Sequence, residues 1–209
     1  MTNLRKLPIL LLFTLIASLM ASAESKNELG LLIGATVVPD QTINSSTVLN
    51  GKLKFSKGVT YQATYARRLL NAGIAGVDFE LPFLGTPNAD ISSNDLNTPT
   101  ALASLFITPA LRVKLFPNAG ISPWVSVGGG YGRFDEGSKL QSGAANFGPK
   151  GTNTGVFEYG GGIDIHVISL LSLRGEVRDF YSGRPQFNVL TQNDRQHNIV
   201  VSGGFVVHF

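Results

Sequence analysis

The segment His197-Asn-Ile-Val-Val-Ser-Gly-Gly-Phe-Val-Val-His-Phe209 governs how the rest of the chain is read. In extended backbone Ile199, Val201, Gly203, Phe205, Val207 and Phe209 share one side, and Asn198, Val200, Ser202, Gly204, Val206 and His208 share the other. One side is apolar and aromatic, the other small or polar. Such a strand serves either the core of a water-soluble β-protein or a wall whose apolar side meets lipid. The remainder of the chain has to decide between them.

The chain has 209 residues, 43% of them hydrophobic, with 24 Gly, 15% charged residues and no Cys. That length suits one domain. The absence of Cys excludes a disulfide framework, a Cys-ligated zinc site, a thiol enzyme and a lipoprotein anchor. Met1 to Ala23 opens with Arg5 and Lys6, runs through the apolar Leu7 to Met20 and ends on Ala21-Ser22-Ala23. This order reads as a secretory signal peptide, so the expected division is 1–23 signal and 24–209 β-domain. An uncleaved anchor helix is the competing reading, but the apolar run is interrupted by Pro8 and falls short of the roughly 20 residues a span needs. Loss of Arg5 and Lys6 leaves the mature chain near neutral, and no Lys/Arg cluster points to nucleic acid. Beyond residue 23 no apolar run is long enough for a transmembrane helix.

Period-two segments recur near 28–38, 58–70, 73–84, 102–116, 121–134, 154–167, 171–182 and 197–209. In the third, Val77, Phe79, Leu81 and Phe83 oppose Gly76, Asp78 and Glu80. In the fourth, Leu111, Val113 and Leu115 oppose Arg112 and Lys114, and Pro109 predicts a bulge because it removes a ladder donor. The sixth opposes Phe157, Tyr159, Ile163 and Ile165 to Glu158, Asp164 and His166; the seventh opposes Leu173 and Val177 to Arg174, Glu176 and Arg178. A water-soluble barrel or sandwich turns the apolar side inward. Its solvated side is normally dense in Lys, Glu, Thr and Ser, whereas here Gly runs alternate with single charges. A membrane barrel inverts the arrangement, filling a narrow lumen with small residues and paired charges, and fits better. Connections alternate in length: 39–57, 85–101, 135–153 and 183–196 are long, while 71–72, 117–120 and 168–170 are short. Long loops on one rim and tight turns on the other mark outer-membrane barrels, with the turns in the periplasm.

The signal peptide, eight strands, alternating loops, Gly-rich fifth and sixth strands and terminal Phe209 together resemble the small outer-membrane β-barrel family typified by the OmpA transmembrane domain and OmpX. The resemblance spans the mature chain and rests on patterns, so it speaks to fold more than to function. It implies an all-β, closed eight-stranded antiparallel barrel with up-and-down topology, surrounded by outer-membrane lipid in a bacterial cell. It further implies that the closing strand, with Phe205 and Phe209, is the assembly signal read by the barrel-insertion machinery. A C-terminal peptidoglycan-binding domain is not expected.

Within this reading the lumen charges are Asp78, Glu80, Arg112, Lys114, Glu158, Asp164, Arg174, Glu176 and Arg178, with His166 and His208 nearby. Buried ions are tolerated only when paired, so the set reads as a structural plug. The alternative is a narrow pore for ions or small solutes, because intramembrane charges are functional candidates. A lipid A-modifying enzyme is a third class. Its nucleophile needs a His and a carboxylate, yet Ser169 follows His166 at the wrong parity for one face. Three His without ligand spacing suggest no metal, and no cofactor is expected. Gly128-Gly129-Gly130 and Gly160-Gly161-Gly162 lie inside strands and open no helix, which argues against phosphate loops. They are expected to give room to bulky lumen side chains such as Phe106, Arg112 and Arg174. Tyr61, Phe83, Tyr131, Phe157 and Tyr181 fall near the loop ends of their strands, and Phe116 and Phe209 near the turn ends, as two interfacial belts. The polar loops are the expected contact with an extracellular ligand.

Overall fold

The computed structural model describes residues 26–44 and 51–209, and the expected signal segment lies outside them. In chain order the strands are β1 (Asn27–Val37), β2 (Gln41–Thr42), β3 (Lys52–Phe55), β4 (Gly58–Asn71), β5 (Ala75–Ser93), β6 (Ala101–Ile107), β7 (Ala110–Leu115), β8 (Ile121–Glu136), β9 (Thr152–Ile168), β10 (Leu171–Gly183), β11 (Arg195–Gln196) and β12 (Ile199–His208). Eight staves make the wall, with β6 and β7 as the two halves of the fourth. Each pairs antiparallel with its neighbours in sequence. β1 also pairs with β12, Leu29 with Val207 and Leu31 with Phe205, which closes the ring. Asn27 and Phe209 exchange both backbone hydrogen bonds at 2.9 Å where the first and last strands meet.

The orientation of the two sides decides the fold. Phe79, Val127 and Ile163 point outward, at 39%, 50% and 47% exposure, whereas Glu80, Glu158 and Asp164 inside are fully enclosed. Leu29, Leu31, Ile33, Leu111, Val125, Val177 and Val201 join the outward set. An apolar outer band around a charged interior is the arrangement of a barrel solvated by hydrocarbon.

The fourth stave breaks where the sequence places Pro109, between Ile107 and Ala110. The wall stays bonded there, since Thr108 N donates to Pro82 O at 3.3 Å and Gly129 N donates to Pro109 O at 3.1 Å. The tight turns follow their residues. Asn71 Oδ1 accepts from Gly73 N at 3.1 Å, and Gly73 adopts φ +77°, a left-handed conformation that glycine takes without penalty. β9 runs through Ile168, and the hairpin absorbs its poor turn chemistry through a register shift between Leu171 and Ser172.

The opposite rim departs from the sequence reading. β5 continues to Ser93, well past the expected end at residue 84, and pairs there with β3. The segments read as polar loops also carry apolar anchors: Ile43, Leu53 and Phe187 are buried with Leu84, Ile91, Leu102, Phe106, Phe134 and Phe180. Phe106 stacks on Phe180 at 5.1 Å and meets Phe134 edge-on at 5.6 Å. The interior is therefore layered, apolar beneath the long loops and ionic toward the tight turns.

Candidate functional site

Inward positions of six staves deliver the ionic layer: Glu28 from β1, Asp78 and Glu80 from β5, Arg112 and Lys114 from β7, Ser126 and Trp124 from β8, Glu158 and Asp164 from β9, and Arg174, Glu176 and Arg178 from β10. All nine charges singled out in the sequence lie inside the ring and are at most 4% exposed. Glu28 is the hub that sequence reasoning omitted. It accepts from Arg112 Nη2 and Lys114 Nζ at 2.5 Å each and from Arg174 Nη2 at 3.0 Å. Arg174 also holds Asp164 through two parallel bonds of 2.7 Å, the strong geometry for a guanidinium and a carboxylate. Lys114 reaches Asp164 at 2.7 Å. Asp78 pairs with Arg112 at 2.6 Å and with Arg68, which is also absent from the expected set.

A second nest surrounds Arg178, whose guanidinium meets Glu80 at 2.7 Å and Glu158 and Glu176 at 2.9 Å. Arg112 links the nests through Glu80 at 3.4 Å. Trp124 stands between them, its ring 5.6, 5.2 and 4.8 Å from the guanidinium carbons of Arg112, Arg174 and Arg178. Its indole N–H donates to Asp164 Oδ1 at 3.2 Å. A desolvated cation over an aromatic face contributes about 2 kcal/mol or more. Gly162 makes this position possible, because a Cβ there would lie 2.5 Å from Trp124 Cζ2. Gly132 likewise clears Phe106, whose Cδ1 would be 3.0 Å from an added Cβ.

No protein-family description and no curated protein matches the sequence. Among solved structures, the outer membrane protein OprG from Pseudomonas aeruginosa superimposes with a TM-score of 0.57 at 15% identity, over 89% of this chain and 97% of that one. Neisserial surface protein A gives 0.55 at 13% identity, over 90% and 99%. Ail of Yersinia pestis, solved in complex with the heparin analogue sucrose octasulfate, gives 0.50 at 11% identity, over 88% and 99%. This chain has the fold of the small outer-membrane β-barrels. With its lipid-facing apolar wall, the barrel belongs in the bacterial outer membrane.

On the outside of this outer-membrane barrel Tyr61, Phe83, Tyr131 and Phe157 are exposed toward the long loops, and Phe116 toward the turns. Tyr181 is half-buried and pairs directly with Phe157. Phe205 is exposed on the lipid side of β12, opposite Leu31 and Leu173.

At the turn end of the lumen a cluster appears that strand parity within one segment does not reveal. Ser172 Oγ lies 2.8 Å from His208 Nε2, His208 Nδ1 lies 3.7 Å from Glu28 Oε1, and His166 stacks on His208 at 5.4 Å. The composition is that of a nucleophile with its base and carboxylate. Ser172 is fully enclosed and the His–Glu separation exceeds hydrogen-bonding distance, so the geometry is that of a packed polar contact. Among the described residues no group of three or more His, Asp or Glu side chains is arranged to hold a metal ion.

Proposed function

We propose that this outer-membrane barrel is a non-catalytic structural and surface-interaction protein, closed along its axis and working through its long extracellular loops. The observation that carries this reading is the double filling of the lumen. Six carboxylates and five cations interlock toward the periplasm, and an aromatic layer topped by Phe187 fills the outer half. Eight strands leave room for little besides side chains, and here that room is used twice over. At the loop tips Phe147 is 94% exposed and Leu96 and Leu190 stand out beside it in exposure, which makes them contact points for an extracellular ligand.

In the same reading residues 1–23 are a cleaved signal peptide, and Phe205 and Phe209 on the closing strand are recognised by the barrel-insertion machinery. Planar-bilayer recording of refolded protein tests the closed axis. A flat trace is expected, and discrete conductance steps would replace this reading with that of a narrow pore. Lipid A mass profiles from cells with and without the protein test the absence of catalysis; a shift that Ser172→Ala abolishes would make it an enzyme.

A further inference from the structure

Asp179 interrupts an otherwise apolar outward series on β10, between Val177 and Tyr181, and an ionisable group on a lipid-facing wall requires a reason. It is 8% exposed because Tyr159 and His197 cover it. Its Oδ2 accepts from Tyr159 OH at 2.7 Å and lies 2.6 Å from His197 Nδ1. These bonds fix the His197 ring, which packs on Tyr181 at 4.7 Å. The Arg195 guanidinium in turn lies 5.4 Å from the centre of the Tyr181 ring and meets no carboxylate partner among the described residues. A cation over an aromatic face is thus placed on the outside of the wall, near the level of the Phe157–Tyr181 pair.

Two adjoining grooves of about 520 and 460 Å³ share Arg195. Gly130, Gly155 and Gly183 are among the residues lining the first, and at Gly155, paired with Tyr131, an added Cβ would meet nothing within 4 Å. Asp194 also lines both grooves, with its carboxylate turned toward Arg184 at 3.6 Å. A guanidinium lacking an anion, aromatic faces beside it, an open channel beneath and hydrocarbon below describe a receptor for an anionic amphiphile with a ring-shaped head.

We propose that this outer-wall site binds a phosphorylated glycolipid of the outer leaflet, its phosphate on Arg195, its sugar against Tyr181 and Phe157, and its chain along the glycine-lined groove. Asp179, Tyr159 and His197 are positioning residues for this aromatic face. The site is independent of whether the lumen conducts.

The test is native mass spectrometry of detergent-solubilised protein with bis-phosphorylated lipid A, its dephosphorylated form and inorganic phosphate as probes. Wild type is expected to retain bis-phosphorylated lipid A at least tenfold more strongly than the dephosphorylated form, and to retain no inorganic phosphate. Arg195→Ala should remove that preference. Gly155→Leu, whose Cβ would meet nothing within 4 Å, should reduce binding of both lipids while leaving the heat-modifiable gel migration of the folded barrel intact. Equal retention by wild type and both variants, or capture of inorganic phosphate as strongly as of the lipid, would overturn the assignment.

Discussion

Glu28 and Lys114 meet at 2.5 Å at the turn end of the lumen, although 86 positions separate them in sequence. The same carboxylate bonds Arg112 and Arg174, so Glu28 joins β1 to both β7 and β10 across the interior. Glu28→Ala leaves three buried cations one carboxylate short, each keeping Asp78 or Asp164, and should cost about 3 kcal/mol, the lower end of the usual penalty for breaking a buried ion pair from one side. Urea unfolding in detergent micelles reads that loss. Adding Lys114→Met to the variant should return part of it, and no recovery would mean that the two side chains act independently.

Trp124 is the single tryptophan of the chain and reports on its own surroundings. Gly162→Val is expected to displace it from the three guanidinium groups, shifting its emission and lowering the thermal midpoint of the folded band on gels. Gly203→Val is the control, because the nearest atom to a Cβ there is Arg174 O at 3.5 Å. Identical spectra for the two variants would remove the packing role assigned to Gly162.

Leu111 and Val127 form one cross-strand pair on the lipid side. Arg at either position should destabilise the barrel in bilayers by about 2–4 kcal/mol. Phe147→Arg, at a loop tip in water, should be neutral. Tolerance of Arg at both wall positions would contradict a hydrocarbon-facing wall.

Glu136 fastens the last long loop to the rim. Its Oε1 accepts from Thr152 Oγ1 at 3.0 Å and from Gln186 N at 3.1 Å. Glu136→Ala should hasten chymotryptic cleavage after the exposed Leu190 several-fold without changing gel migration of the folded barrel, and unchanged cleavage would show that the loop is held elsewhere.

Strand parity alone made the wall legible, because each outward residue is fixed by period two and needs no knowledge of its partners. The nine inward charges followed from the same rule. Glu28 escaped because it opens its segment, where one charge looks like a boundary, although Gly30 and Leu32 share its side. Asp179 escaped for the opposite reason, as a charge on the apolar side whose cover, Tyr159 and His197, comes from other segments. The length of β5 was hidden by Gly85-Thr86-Pro87-Asn88, which has turn composition; the strand passes through it by a register shift between Thr86 and Ala89. Trp124 between three arginines was beyond reach, since their convergence depends on the register of three separate strand pairings.

Closure of β1 onto β12 has a consequence for any protein that docks here. With both flanks of every wall strand already bonded, the membrane-embedded sheet offers no vacant rim of amides and carbonyls onto which a foreign peptide can zip. A partner that meets the embedded wall must therefore grip side chains, and its selectivity there will be written in shape and charge and not in main-chain pairing.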